Sequence, residues 1–216
     1  MALQQELDAL RAEFERTAPA ERAALYTAKV EELRATFPKE QALAVGAMAP
    51  AFTLPDATGM RVSLADVLAR GPAFVIFYRG GWCPYCNLQL RAWQRQLPAI
   101  QAAGATLLAI SPQMPDASLT TAEKNELAFP VLSDVGNAVA RQFGLVYSMP
   151  MEVRAALTAN GKPLPGFNGD ESWELPITAS FLIGADGRVA VADIELDYRR
   201  RMDPAAMLAA LAETAA

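Results

Sequence analysis

The rhythm of apolar and polar positions changes along this chain. At the start, Leu3, Leu7, Leu10 and Phe14 recur at three- and four-residue spacing, which places them on one face of a helix. "TAPAERAALYTAKVEELRATF" then restarts a helix, with Thr17 as the expected N-cap and Leu25, Tyr26, Val30 and Leu33 as its apolar face. Pro38 ends it, since a helix interior tolerates neither the missing N–H nor the ring. Residues 1–43 therefore read as an N-terminal helical extension. A hairpin packed on the rest of the chain would bury two such faces; a dimer contact is the alternative. Both helices mix acids with bases, which argues against a membrane-surface helix.

From Val45 the texture is different. "APAFTLPDATGMRVSLADVL" reads as a short strand, a turn, a second strand and a short helix capped by Ser63. "PAFVIFYR" and "ATLLAIS" are near-continuous apolar runs, as expected of parallel strands buried on both faces. Between them "CNLQLRAWQRQLPAIQAAG" is helical, and Gly104 can close it. "SLTTAEKNELA", "FPVLSD" and "GNAVARQFGL" continue the alternation of helix and strand. "TASFLIGADGRVAVADI" reads as two strands joined at Ala185-Asp186-Gly187, and Asp203 caps a closing helix. "NGKPLPGFNGDESWELP" is the one extended irregular stretch, a candidate cover or interaction surface. Strands alternating with helices, then a final hairpin, predict an α/β fold over 44–216 with a mixed central sheet flanked by helices.

Composition narrows the function. The chain has 216 residues, 52% of them apolar, enough for one sizeable core. The net charge is −5 with both signs interspersed, and no basic stripe points to nucleic acid. No apolar run is long enough to span a bilayer, and "MALQQELDALRAEF" lacks the apolar stretch of a secretory signal, so a cytoplasmic location is expected. The absence of histidine removes Ser-His-Asp and Cys-His catalysis, histidine metal sites and a histidine proton shuttle. No cofactor is implied.

The candidate chemistry lies in "RGGWCPYCNLQL", Arg79 to Leu90, which holds both cysteines, Cys83 and Cys86. A strand ends at "FYR", the glycines turn the backbone, and a helix begins. A thiol at a helix N-terminus faces unsatisfied N–H groups and the positive end of the helix dipole, and both favour thiolate. An ordinary thiol with pKa ~8.5 is only about 3% ionised at pH 7; at pKa ~6 it is about 90% ionised. Spacing of i, i+3 brings the sulfurs together on the first turn, and Pro84 suits the first helical position. In a chain without a secretory signal such a pair reads as redox-active. The bland readings are two structural cysteines, or half a zinc site shared across a dimer, since two cysteines alone do not complete a tetrahedral zinc site.

"GAMAPAFTLPDATGMRVSLADV", "FVIFYRGGWCPYCNLQL", "LLAISPQ", "FPVLSD" and "SFLIGADGRV" resemble the AhpC/TSA peroxiredoxin-like family, which has the thioredoxin fold. "SWELPITASF" and "LDYRRRMDP" resemble the branch that carries Trp-Cys-Pro-Tyr-Cys. The likeness runs from about Val45 to the end of the chain. In the family's Pro-x-x-x-Thr-x-x-Cys segment the last cysteine attacks peroxide. Laid on this sequence, the resemblance puts Cys86 in that place, Cys83 where Thr is expected and Arg79 where Pro is expected. The family's activating Arg before the late strand is replaced by Thr178. In the thioredoxin pattern the roles reverse, with Cys83 attacking and Cys86 resolving, and Thr178 stands where that fold's proline touches the disulfide.

Three functions follow. The first is a thiol peroxidase, with Cys86 forming a sulfenic acid, Cys83 closing the disulfide and a thiol reductant such as thioredoxin or glutathione resetting the pair. The second is a thiol–disulfide oxidoreductase using Cys83 on a disulfide substrate. The third is a non-enzymatic redox sensor. The resemblance also implies a possible homodimer. Around the thiols, Trp82 and Tyr85 are expected to shape access, and Arg79 and Thr178 are candidates to replace the missing family Arg. Glu171 and Glu174 are expected to be solvated loop acids rather than proton shuttles, and Trp173 is placed either over the pair or over its own loop. "DYRRRMDP" is expected to be a solvated turn.

Overall fold

The computed structural model describes residues 2–214. Two helices open the chain, α1 (Leu3–Thr17) and α2 (Ala20–Thr36). Thr17 closes α1 rather than capping α2: its hydroxyl donates to the Glu13 carbonyl at 2.8 Å, and Pro19 takes the N-cap position. Then come β1 (Thr53–Pro55), β2 (Arg61–Ser63), α3 (Leu64–Leu68), β3 (Ala73–Phe77), α4 (Pro84–Ala102) and β4 (Thr106–Ser111). Next are α5 (Pro115–Lys124), β5 (Val131–Ser133), α6 (Ala138–Gln142), β6 (Val146–Ser148) and α7 (Met151–Ala159). The stretch expected to be irregular contains α8 (Leu164–Asn168) and β7 (Glu174–Pro176), which pairs antiparallel with β6. The chain ends with β8 (Thr178–Ile183), β9 (Val189–Glu195) and α9 (Pro204–Thr214).

The five-stranded sheet has the order β5-β4-β3-β8-β9, with β3, β4 and β5 parallel and β8 and β9 antiparallel to their neighbours. This is the thioredoxin fold's mixed sheet. All five residues of β3 are buried because it is central and covered on both faces. Successive side chains point to opposite sides. Phe74, Ile76 and Tyr78 pack with α4, α9 and Leu3 and Leu7 of α1. Ala73, Val75 and Phe77 pack with Phe52, Val139 and Phe143 on the other face. The functional segment follows β3, at the carboxyl end of the parallel strands, where open α/β sheets place their sites.

The helical extension lies against this body. Leu3 and Leu7 are buried with α4, Arg95 of α4 meets Glu6 at 2.8 Å, and Phe14 stacks on Tyr26 at 5.8 Å. Asp203 accepts from the Ala205 N–H at 3.0 Å and from the Leu3 N–H at 3.3 Å, so the cap of α9 also ties down the start of α1.

Candidate active site

The turn between β3 and α4 is fixed by close approach. Gly80 has φ +142°, and a Cβ there would strike the Trp82 indole. A Cβ on Gly81 would overlap the Thr121 hydroxyl. Side chains from neighbouring elements hold the same turn. The Gly81 N–H donates to Gln113 Oε1 at 2.7 Å, Asn87 Nδ2 donates to the Gly81 carbonyl at 2.9 Å, and Asn125 Nδ2 donates to Asn87 Oδ1 at 3.1 Å. Arg91 completes the chain by donating to Asn125 Oδ1 at 2.8 Å. None of these polar residues was singled out from the sequence. Their role depends on β4, α4 and α5 converging, which no local pattern records.

Pro84 is the first residue of α4 and Cys83 its N-cap. Both cysteines are free thiols, and they occupy different depths. Cys83 lines a cavity of about 320 Å³, whereas Cys86 is fully buried beneath it. Burial opposes ionisation of Cys83. The Cys86 thiol, the Arg79 guanidinium, the Cys86 backbone N–H and Arg201 outweigh it and bring Cys83 down to about 5. Cys86 moves the other way, pushed up by burial and by its hydrogen bond to Cys83. At pH 7 a thiol of pKa about 5 is roughly 99% thiolate.

Arg79 explains much of this. It is 6% exposed, its Nη1 lies 3.9 Å from Cys83 Sγ, and no carboxylate pairs with it among the described residues. Tyr198 and Trp82 hold the guanidinium by their ring faces, 4.1 Å and 5.0 Å from its carbon to the ring centroids. A buried cation needs an anion, and the Cys83 thiolate is the one beside it. Arg201 repeats the arrangement at the deeper sulfur: 7% exposed, Nη2 at 3.9 Å from Cys86 Sγ, Nε donating to Gln89 Oε1 at 2.9 Å.

Arg201 and Tyr198 belong to "DYRRRMDP", so the expected solvated turn is a buried lining of the site. Asp197 anchors it, accepting from Arg199 Nε at 2.7 Å and Nη2 at 3.0 Å. Arg199 Nη1 donates to Thr27 of α2 at 3.1 Å. Tyr198 meets Tyr85 edge-on at 5.5 Å. Thr178 does not line the cavity at Cys83. It is buried, and its hydroxyl donates to the Glu195 carbonyl at 2.9 Å, across the β8–β9 ladder. Glu174 pairs with Arg141 at 2.6 Å, and Trp173 packs against the cluster around Met149, Val153 and Leu175 under Arg154. Neither lines the cavity at Cys83.

The profile of the AhpC/TSA family matches residues 45–192. This chain belongs to the AhpC/TSA family. Its relatives include the putative peroxiredoxin Rv2521 of Mycobacterium tuberculosis, 33% identical over 154 residues, 71% of this chain and 87% of the relative. Peroxiredoxin Bcp of Escherichia coli is 32% identical over 147 residues, 68% and 83% of the two chains. The crystal structure of peroxidoxin BcpB from Mycobacterium tuberculosis superposes with TM-score 0.63 at 22% identity, over 79% of this chain and 97% of that one. Membership of this family makes the chain an oxidoreductase of the peroxiredoxin type. The family match ends before Tyr198 and begins after α2, so part of the site is built outside it. Among the described residues no helix is long and apolar enough to cross a membrane.

Proposed function

We propose that the chain reduces hydroperoxides with Cys83, not Cys86, as the attacking thiol. The observation that carries this is the position of Cys83: at the N-terminus of α4, beside a buried guanidinium with no carboxylate, and open to the cavity. The thiolate attacks the terminal peroxide oxygen; the S–O bond forms as the O–O bond breaks, and the leaving alkoxide takes a proton to become the alcohol. Cys83 becomes a sulfenic acid. The Cys86 thiol then attacks the Cys83 sulfur, the S–S bond forms and water leaves. Two equivalents of an external thiol, thioredoxin or glutathione in a reducing cytoplasm, restore the dithiol. The order of the two thiols is the reverse of the one implied by the family's peroxide-attacking position.

Stopped-flow oxidation by hydrogen peroxide separates the assignments. We expect Cys83→Ser to abolish fast oxidation and Cys86→Ser to retain it, ending in a sulfenic acid trappable by dimedone. Fast oxidation kept in Cys83→Ser and lost in Cys86→Ser would overturn the assignment. A second reading, thiol–disulfide exchange, draws on the same order of an ionised outer thiol and a neutral inner one. Oxidation by peroxide no faster than free cysteine, together with rapid reaction with disulfides, would favour it.

A further inference from the structure

The cavity above Cys83 is much larger than hydrogen peroxide requires. Its 320 Å³ compares with roughly 30 Å³ for a water molecule, and hydrogen peroxide is about two waters in size. It falls in the range of sites for small organic ligands. Its walls are largely apolar: Phe14, Tyr26 and Val30 from the N-terminal helices face Met149, Val153 and Leu157.

Its charges all have one sign. Arg22, Lys29, Arg79 and Lys162 line it, and no Asp or Glu does, in a chain whose net charge is −5. Lys29 is neutralised by Glu32 and Glu152, each at 2.9 Å. Arg79 faces the thiolate. Arg22 and Lys162 have no ion-pair partner among the described residues, and both are partly exposed. Deeper in, Arg79 Nε and Trp82 Nε1 are buried donors with no acceptor. The site thus offers an apolar body, unsatisfied donors beside the reactive sulfur, and free cations toward solvent.

We propose that this cavity binds organic hydroperoxides that carry an anionic group, and that the α1–α2 hairpin sets the preference. The hydroperoxide end meets Cys83, the apolar body lies between α2 and α7, and the anion meets Arg22 and Lys162. This rests on the peroxidase reading above and adds the substrate class. The chemistry is the step already written; the product is the corresponding anionic alcohol.

The test compares second-order oxidation rates of the reduced protein by hydrogen peroxide, cumene hydroperoxide and the para-carboxylate of cumene hydroperoxide. At pH 7 the carboxylate is ionised. We expect cumene hydroperoxide to exceed hydrogen peroxide at least tenfold. The carboxylated compound should exceed the neutral one about tenfold again at low salt, an advantage that shrinks as salt screens the cations. Arg22→Glu with Lys162→Glu should erase the carboxylate preference, and Val30→Trp should lower the ratio of organic to hydrogen peroxide rates at least tenfold. Ratios within one protein sample do not depend on how much of it is active. Equal rates for all three oxidants, or ratios unmoved in the variants, would overturn the inference and leave the peroxidase reading standing. Slow oxidation by all three would remove both.

Discussion

Arg79 Nη1 lies 3.9 Å from Cys83 Sγ in a buried contact, and in the proposed reaction the anion of that pair is the reagent. Alkylation of Cys83 by iodoacetamide should therefore follow a pKa near 5 and stay level from pH 6 to 8. Arg79→Met keeps an apolar stem between the rings but removes the charge. It should raise the Cys83 pKa and slow alkylation at pH 6 at least tenfold, since each unit below the pKa is a factor of ten in thiolate. The same shift links to stability. Cys83 ionises more readily folded than unfolded, so its contribution is complete above the unfolded pKa near 8.5 and is lost as pH falls through about 5. Cys86 is raised, so it opposes folding once pH exceeds its unfolded value. Urea titrations should show the reduced protein losing stability between pH 8 and 5 relative to the disulfide form, which has no thiol to titrate. Equal slopes for the two forms would contradict the thiolate assignment. In the proposed cycle Arg201, 3.9 Å from Cys86 Sγ, serves the return step, because a donor thiol attacking Cys83 expels Cys86 as thiolate, and a poorer leaving group leaves more slowly. Arg201→Met should slow single-turnover reduction by dithiothreitol about tenfold while changing the peroxide step less.

At the scale of elements, the turn before α4 is held by packing that tolerates no extra atom. Gly81→Ala drives a methyl into Thr121, and Gln113→Ala leaves the Gly81 N–H without its acceptor. Each should cost about 1–3 kcal/mol, a fall of several degrees in Tm for a chain of this size. Gln113→Glu restores an acceptor and should recover most of the loss. The main elements were legible because their patterns are local: the apolar run of β3 reports burial on both faces, and Cys83-Pro84 reports a helix start. The polar brace formed by Gln113, Asn87 and Asn125 was not legible, since three elements supply it. The solvated reading of "DYRRRMDP" failed for a related reason. Charge density in a sequence suggests solvent, yet here Asp197 neutralises Arg199, Gln89 accepts from Arg201, and Tyr198 covers Arg79. Thr178, a candidate for the missing family Arg, begins β8, and its hydroxyl donates to the Glu195 carbonyl across the ladder.

Across the whole molecule, the family's shared segment supplies the sheet and the cysteine turn, and the two ends of the chain close over them. Tyr198 and Arg201 arrive from one side and α2 from the other, and Asp197 is the joint between them. It is 2% exposed, holds Arg199 by two short contacts, and lies 3.6 Å from Arg34 of α2, while Arg199 reaches on to Thr27. Burial opposes its charge, but the hydrogen bonds from Arg199 and the charge of Arg34 hold its carboxyl below the usual range. The stability it adds is present above the unfolded value near 3.9 and disappears at lower pH. Asp197→Asn leaves Arg199 buried without an anion, which costs about 3–5 kcal/mol. Because Tyr198 adjoins this joint, the variant should also loosen the grip on Arg79. We therefore expect the Cys83 pKa to rise in Asp197→Asn although the substituted group does not touch the sulfur. Alkylation profiles of wild type and variant at matched temperatures below both transitions would show it. A variant that loses stability with an unchanged Cys83 profile would mean that the joint braces the fold but does not tune the site.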